Sequence, residues 1–334
     1  MVEKQVLLEV SELRKYYPIS RGIFRRVAGY VKAVDGVSFS VNQGEVVGLI
    51  GESGCGKTTT GRCILRAITP TSGSILFHNG KAQDVTAMNR DELRDYRRNA
   101  QMIFQDPYSS LNPRMSVLEI VGEALYVNGV ARGRALEDRV RVLMSQVGLK
   151  PEHMRRFPHA FSGGQRQRIG IARALALEPK LIVADEPTSA LDVSIQAQII
   201  NLLQNLQKTL GLTYLLIAHD LSVIRHFSNR VVVLYVGQAC EVSDTEELFR
   251  APRHPYTEAL LSAVPKPDPK RRGNRIVLGG EVPDPAAAPL GCKFHPRCPY
   301  SQEVCRTELP PMIEVSEDHF ASCHFSETLK LRAV

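Results

Sequence analysis

A glycine-rich segment near the start of the chain has the residue types that bind phosphate. Residues 46–60 read VVGLIGESGCGKTTT, in which a short apolar run precedes the glycines and a segment of helical character follows them. Gly51, Gly54 and Gly56 allow a tight turn that directs backbone N–H groups to phosphate oxygens, and the following helix adds the positive end of its dipole. A glycine-rich turn alone would be an ordinary structural turn, so the residues that follow decide between the two interpretations.

Lys57 and Thr58 complete the spacing of a nucleotide phosphate loop. Lys57 would reach the β and γ phosphates, and Thr58 would offer its hydroxyl to Mg²⁺. Cys55 is interpreted as a small filler within the loop. The residues predicted to bind the nucleotide here are Gly51, Glu52, Ser53, Gly54, Cys55, Gly56, Lys57, Thr58 and Thr59.

Two adjacent carboxylates end a second apolar run. In PKLIVADEPTSALD the run from Leu181 to Ala184 has the character of a buried parallel strand that delivers charge to its C-terminal edge. Asp185 would support the magnesium shell, and Glu186 would orient or deprotonate the attacking water. By itself the pair could be an acidic strand end in solvent, but the phosphate loop upstream favours the metal and base roles.

A second anion site precedes these carboxylates. Residues 157–179, FPHAFSGGQRQRIGIARALALEP, place a Ser-Gly-Gly cap before an apolar pattern of helical spacing. Such a cap at a helix N-terminus can bind an anion through its exposed N–H groups. Two anion sites with one pair of carboxylates raise the question of which phosphate Ser162, Gly163 and Gly164 contact.

The order of these motifs resembles the ATP-binding subunits of ABC transporters. IFQDP with Gln105 follows the phosphate loop, and SGGQ, ADEP, SALD with Asp192 and IAHD with His219 come after it. The resemblance implies an α/β fold: a P-loop (RecA-like) ABC nucleotide-binding domain with an N-terminal antiparallel β subdomain and an inserted helical subdomain at about 106–165. SVNQGEVV and LFHNGK are interpreted as β-turns of that antiparallel sheet.

The resemblance also implies roles for individual residues. Two such domains enclose two ATP molecules head to tail, so the SGGQ segment of one subunit contacts the γ-phosphate held by the other. Phe161 stands where this family usually has leucine, a change that we expect to be tolerated. The implied roles are catalysis by Glu186, His219, Lys57 and Gln105; Mg²⁺ binding by Thr58, Gln105 and Asp185; ATP contact in trans by Ser162, Gly163 and Gly164; ATP contact by Gln165 and Asp192; and adenine stacking by Tyr17, with Tyr16 as the competitor.

The end of the chain differs in character from the rest. We expect an ATPase domain at 1–250 and a C-terminal extension at 251–334, in which APRHPYTEALLSAVP predicts a short amphipathic helix and 266–275 a Pro- and charge-rich connector. RHPYTEALL and GCKFHPRCPYSQEVC resemble the extension of oligopeptide and dipeptide ABC importers. The implied partners are two permease subunits, a second and non-identical ATPase, and indirectly an external solute-binding protein.

Four of the seven cysteines lie in that extension. Cys292, Cys298, Cys305 and Cys323 have five, six and seventeen residues between them and lack the close pairs of common zinc knuckles, so spacing alone does not name a metal. The family resemblance implies a [4Fe-4S] cluster on these cysteines. Zn²⁺, disulfides and free thiols are the alternatives, and the nearby His295, His319 and His324 are interpreted as solvated side chains rather than ligands.

Charge and hydropathy limit the remaining function classes. A net charge of +7 suggests an anionic partner without choosing among nucleotide, nucleic acid and lipid. The N-terminus has no secretion signal, and no apolar run reaches the roughly 20 residues of a membrane span. We therefore expect a peripheral protein at the cytoplasmic face of the membrane, without a nucleic-acid partner. The alternatives are a soluble ABC ATPase of DNA repair or translation, an importer of sugars or metal complexes, and a binding module without turnover.

Overall fold

A computed structural model of the chain describes residues 5–21, 26–264 and 276–332. The connector predicted at 266–275 lies outside the described residues. No described helix combines the length and the apolar composition that crossing a membrane requires.

The elements alternate between strands and helices along most of the chain. The strands are β1 (Val6–Arg21), β2 (Arg26–Asn42), β3 (Val46–Ile50), β4 (Ser72–Asn79), β5 (Lys81–Asp84), β6 (Ala100–Ile103), β7 (Leu181–Asp185), β8 (Thr213–Ile217), β9 (Arg230–Tyr235), β10 (Gln238–Asp244), β11 (Ile313–Ser316) and β12 (His319–Ala321). The α-helices are α1 (Lys57–Ile64), α2 (Arg90–Asn99), α3 (Val117–Val127), α4 (Gly133–Gln146), α5 (Gly163–Leu175), α6 (Val193–Leu210), α7 (Leu221–Phe227), α8 (Thr245–Arg250), α9 (Pro255–Ser262) and α10 (Glu303–Thr307).

Contacts between Cα atoms divide the chain into two compact units. The carboxylate unit comprises residues 43–45 and 88–217. The phosphate-loop unit comprises residues 5–42 and 46–87 and the described residues from 218 onward.

In the carboxylate unit, β6, β7 and β8 form parallel pairs, with β7 in the middle. Every residue of β7 and of β8 is buried, as expected for parallel strands whose two faces are both covered. Helices α3, α4 and α5 pack on one another. Of these, α3 and α4 lie within the stretch 106–165 where the inserted helical subdomain was expected, while α5 begins at its end and continues to Leu175. Helix α3 begins at a capping box, in which Ser116 and Glu119 satisfy each other's backbone N–H groups.

The phosphate-loop unit contains the predicted antiparallel sheet, in the order β2-β1-β4-β5. Asn79 pairs with Lys81 across Gly80, whose φ of 78° suits a tight hairpin, so the turn predicted there is confirmed. The turn predicted at Gln43-Gly44 does follow β2. Its assignment to this sheet is wrong, because β3 pairs in parallel with β9 instead.

The second set of strands in this unit mixes parallel and antiparallel pairs. β3 is parallel to β9, β10 is antiparallel to β9 and β12, and β11 is antiparallel to β12. The prediction of an α/β fold with an N-terminal antiparallel sheet is confirmed. The predicted helix forms as α9, but it is enclosed rather than amphipathic, since Tyr256, Thr257 and Glu258 are all buried.

Candidate functional site

The phosphate loop joins β3 to α1 in the predicted strand–loop–helix order. Gly51 has φ 146° and Gly56, at the N-cap of α1, has φ 105°. A Cβ atom at Gly51 would lie 2.2 Å from the Leu234 carbonyl oxygen, and one at Gly56 would lie 2.2 Å from that of Ala33. Both positions therefore need glycine on grounds of space as well as of backbone conformation.

Lys57 carries its charge into this loop. Its side chain is only 6% exposed, and the ammonium group donates to the carbonyl oxygens of Gly51 at 2.6 Å and Glu52 at 3.0 Å. Lys57 is also the first residue of α1, so its charge adds to the helix dipole at the same end. The loop thus concentrates positive potential where the sequence predicted phosphates.

The two tyrosines considered for adenine stacking differ in their surroundings. The Tyr16 hydroxyl donates to Asp35, and burial, with this hydrogen bond, raises the pKa of Tyr16 to about 12. Tyr17 is 37% exposed and lies beside α1, where its hydroxyl bonds with Thr59. Tyr17 is thus the more exposed of the two rings, with the Lys15 ammonium 5.0 Å from its centroid, whereas the Tyr16 hydroxyl is tied to Asp35.

The carboxylates lie where the second apolar run ends. Asp185 is the last residue of β7 and is 2% exposed. Glu186 follows at φ 44°, and its backbone N–H donates to the Ile217 carbonyl at 2.9 Å. Its Oε2 accepts a hydrogen bond of 2.8 Å from Gln105 Nε2. A residue held at positive φ without being glycine carries backbone strain, which is common at functional positions.

The SGGQ segment begins α5 as predicted, with Ser162 at the N-cap. Ser162 Oγ accepts from the Gln165 N–H at 3.3 Å, while Gln165 Oε1 accepts from the Ser162 N–H at 3.0 Å. Sequence reasoning missed this role of Gln165, although Ser-x-x-Gln before an apolar run is a capping-box signal. By helix geometry, the N–H groups of Gly163 and Gly164 have no partner within the helix and can meet an anion.

Two further residues were predicted to contact the nucleotide, Asp192 and His219, and each lies next to the start of a helix. Asp192 is the exposed N-cap residue of α6 in the carboxylate unit. His219 is exposed and stands between β8 and α7, in the phosphate-loop unit.

The four C-terminal cysteines surround one small cavity. Cys292, Cys298, Cys305 and Cys323 all line a narrow space with a volume of about 10 Å³. Burial is the main reason that the pKa of Cys298 rises to about 12, and the proximity of the other three thiols adds to the shift. Cys292 and Cys323, which are 31 positions apart in the chain, are therefore brought to the same cavity.

The cysteines are nevertheless not arranged around a single ion. Among the described residues, no group of three or more His, Cys, Asp or Glu side chains is placed to hold a metal ion. A tetrahedral zinc site with bonds of about 2.3 Å would need its sulfurs within about 4 Å of one another. The geometry thus gives no support to a metal centre on these cysteines, whether a zinc ion or the expected [4Fe-4S] cluster.

The three neighbouring histidines differ from one another. His319 is fully buried, and its Nε2 forms a 2.7 Å contact with Glu241 Oε1, so its interpretation as a solvated side chain is wrong. The pairing of β12 with β10 is what buries it. His295 contacts the Cys292 carbonyl at 2.9 Å, and the half-buried His324 contacts the Glu308 carbonyl at 3.0 Å; both side chains also line the cysteine cavity.

Comparison with known proteins gives consistent matches. The family described as ABC transporter matches residues 34–189, and the family described as oligopeptide/dipeptide transporter, C-terminal region, matches residues 240–305. The oligopeptide transport ATP-binding protein AppF of Bacillus subtilis is 51% identical over 326 residues, covering 96% of this chain and 98% of AppF.

Solved structures support the same comparison. The dimeric ATP-binding cassette MJ0796, in a post-hydrolysis state with ADP and Pi, has a TM-score of 0.63 and 29% identity and covers 72% of this chain and 99% of its own. The structure of cbiO1 from Clostridium perfringens, part of the ABC transporter complex cbiONQ, has a TM-score of 0.63 and 28% identity, with coverage of 74% and 91%.

Proposed function

The chain belongs to the ATP-binding subunits of ABC transporters, and from this membership we propose that it hydrolyses ATP to power the import of oligopeptides or dipeptides. The observation that carries the substrate class is the match of residues 240–305 to the oligopeptide/dipeptide transporter C-terminal region. The subunit is peripheral to the membrane and acts on membrane permease partners. Its ATPase partner is a related, non-identical subunit, and an external binding protein delivers the solute.

Catalysis rests on positioning and on charge. Lys57 and the N-terminus of α1 bind the β and γ phosphates, while Glu186 orients or deprotonates the attacking water. Gln105 holds the Glu186 carboxylate through the 2.8 Å hydrogen bond, and His219 contacts the γ-phosphate. Ser162 and the two glycines after it contact the nucleotide held by the partner ATPase. ATP closes the pair, hydrolysis reopens it, and the permeases follow these two states.

Mg²⁺ accompanies the ATP. Thr58, Gln105 and Asp185 supply hydroxyl, amide and carboxylate oxygens, the ligand types that Mg²⁺ prefers, and the 2% exposure of Asp185 suits a carboxylate that acts beside a cation. When bound, Mg²⁺ neutralises charge that develops on the transferred phosphoryl group.

The import function is tested by reconstituting the chain, its ATPase partner and the permeases in proteoliposomes. We expect ATP-dependent uptake of a labelled oligopeptide, and ATP hydrolysis that rises when the permeases are present. Uptake of a labelled sugar in place of the peptide would contradict the substrate class. Hydrolysis that the permeases never change would favour the soluble ATPase instead.

Adenine stacking by Tyr17 gives a smaller, separate prediction. Tyr17→Ala should raise the dissociation constant for ATP about tenfold, because it removes the ring face beside the phosphate loop. Tyr17→Phe should bind ATP as the unchanged chain does. Tyr30→Ala, at a tyrosine of β2 that is 50% exposed, is the control, and unchanged affinity in Tyr17→Ala would contradict the role.

The four cysteines hold a [4Fe-4S] cluster in this proposal. All four thiols face one cavity, while no compact single-ion group exists among the described residues. A [4Fe-4S] cluster is held by four cysteine thiolates, one on each iron, which matches the number of cysteines at this cavity. The bound cluster would tie together a segment that has few helices or strands of its own.

Metal analysis after anaerobic purification tests this assignment. We expect about four irons and four sulfides per chain, with broad visible absorption. Cys298→Ser should lose the iron, whereas Cys63→Ala, at a buried cysteine of α1, should keep it. One zinc without iron, or no metal at all, would contradict the cluster and leave the ATPase assignment intact.

A further inference from the structure

Glu52 of the phosphate loop is held from the C-terminal extension at two places. Arg297 donates a bidentate pair of hydrogen bonds to its carboxylate, from Nη1 to Oε2 at 2.7 Å and from Nη2 to Oε1 at 3.1 Å. The Tyr256 hydroxyl accepts a 2.7 Å hydrogen bond from the Glu52 backbone N–H. The Arg297 side chain is only 8% exposed and the Glu52 side chain 28% exposed, so this ion pair is partly shielded from solvent. A bidentate, partly shielded arginine–carboxylate pair fixes direction as well as distance.

The two groups that hold Glu52 are themselves held by a cluster of aromatic rings, formed by Tyr235, Tyr256 and Phe294. The ring centroids of Tyr235 and Tyr256 are 4.6 Å apart, and Phe294 lies 5.2 Å from Tyr235 and 5.5 Å from Tyr256. Arg297 Nη1 also lies 3.4 Å from the Tyr235 hydroxyl. Packing in this cluster leaves Tyr256 and Arg297 little freedom to move away from the loop.

The same cluster reaches the cysteine cavity. Phe294 and His254 both line that cavity, and their rings are 5.7 Å apart. His254 is buried, and its Nδ1 caps α9 by accepting the Tyr256 N–H at 3.1 Å. Arg297 directly precedes Cys298. The cavity and the phosphate loop therefore lie at opposite ends of one packed set of side chains.

A shift of Glu52 would change the site where phosphate binds. The ammonium group of Lys57 donates to the carbonyl oxygens of Gly51 and of Glu52 itself. The backbone of Glu52 thus connects Tyr256 on one side with Lys57 on the other. A displacement of Glu52 would therefore displace both the backbone N–H groups of the loop and the ammonium group of Lys57.

We propose that Arg297 and Tyr256 are positioning residues for the phosphate loop, through which the cysteine segment of the C-terminal extension sets the affinity for ATP. This inference rests on the proposed function, because it assigns regulation to the same nucleotide site. The two residues act through Glu52 and do not touch the nucleotide.

The test compares ATP affinity and turnover in variants of the full chain. Arg297→Ala should raise the dissociation constant for ATP about tenfold, since a charge-assisted bidentate contact is lost, while the turnover number at saturating ATP changes much less. Tyr256→Phe, which keeps the ring, should weaken ATP binding in the same direction. Arg306→Ala is the matched control, because Arg306 lies in the same segment but is exposed and pairs with Glu303.

A double-mutant cycle separates positioning from plain stability. Glu52→Gln combined with Arg297→Ala should weaken ATP binding no more than Arg297→Ala alone, because both changes break one contact. If Arg297→Ala is too unstable to study, Arg297→Lys and Tyr256→Phe provide the measurement with less change in volume. Wild-type ATP affinity in the folded variants, with only a lower melting temperature, would overturn the inference. Failure of the unchanged chain to bind ATP would instead overturn the proposed function.

Discussion

Replacing Glu186 by glutamine is expected to reduce steady-state ATP hydrolysis by about two to four orders of magnitude while ATP binding is kept. The carboxylate lies just past β7, and it is held at 2.8 Å by Gln105 Nε2. Glutamine at this position keeps an oxygen that can accept from Gln105, so the local structure should survive. It cannot take a proton from water, and the phosphate loop that binds the nucleotide is unchanged.

The measurement is phosphate release together with equilibrium binding of ATP. Glu178→Gln serves as the matched control, because Glu178 is an exposed glutamate of the same unit that pairs with Arg139. We expect the control to hydrolyse ATP normally. Wild-type turnover in Glu186→Gln would refute the assigned role, and lost binding in that variant would show that Glu186 acts in nucleotide binding.

The phosphate loop was predictable because its chemistry is contiguous in the chain. The glycines, Lys57 and Thr58 occupy one short segment, and the strand before it and the helix after it can be read from local patterns. The same reasoning predicted the carboxylates at the end of β7. It could not choose between Tyr16 and Tyr17, since the choice depends on Asp35, which lies on the neighbouring strand β2.

Contacts between distant segments were not predictable in this way. Arg297 and Glu52 are 245 residues apart, and no periodic pattern relates them. His319 was misjudged for the same reason, because only the pairing of β12 with β10 places it beside Glu241. That pairing also joins residues on either side of the boundary proposed at 250. Spacing in sequence carries no information on such pairings.

Glu241 is where a second large effect is expected, this time on stability. Its side chain is fully buried and accepts three hydrogen bonds, from the Arg253 N–H at 2.7 Å, from the His254 N–H at 2.9 Å and from His319 Nε2 at 2.7 Å. One carboxylate thus joins β10, the start of α9 and β12. Glu241→Ala would leave the buried His254 and His319 donors and the half-buried Arg253 N–H without this acceptor. The expected cost is about 3–5 kcal/mol of folding free energy.

Hydrogen exchange measured by mass spectrometry would locate this loss. In Glu241→Ala we expect faster exchange at α9 and at β11–β12, while α3 and α4 in the carboxylate unit exchange as before. Glu317→Ala, at an exposed glutamate between β11 and β12, should leave exchange unchanged. ATP binding should also weaken in Glu241→Ala, since His254 caps the helix whose Tyr256 holds the Glu52 backbone. If Glu241→Ala weakened ATP binding while α9 exchanged as slowly as in the unchanged chain, α9 could not be the connection between Glu241 and the phosphate loop. That result would contradict the proposed connection.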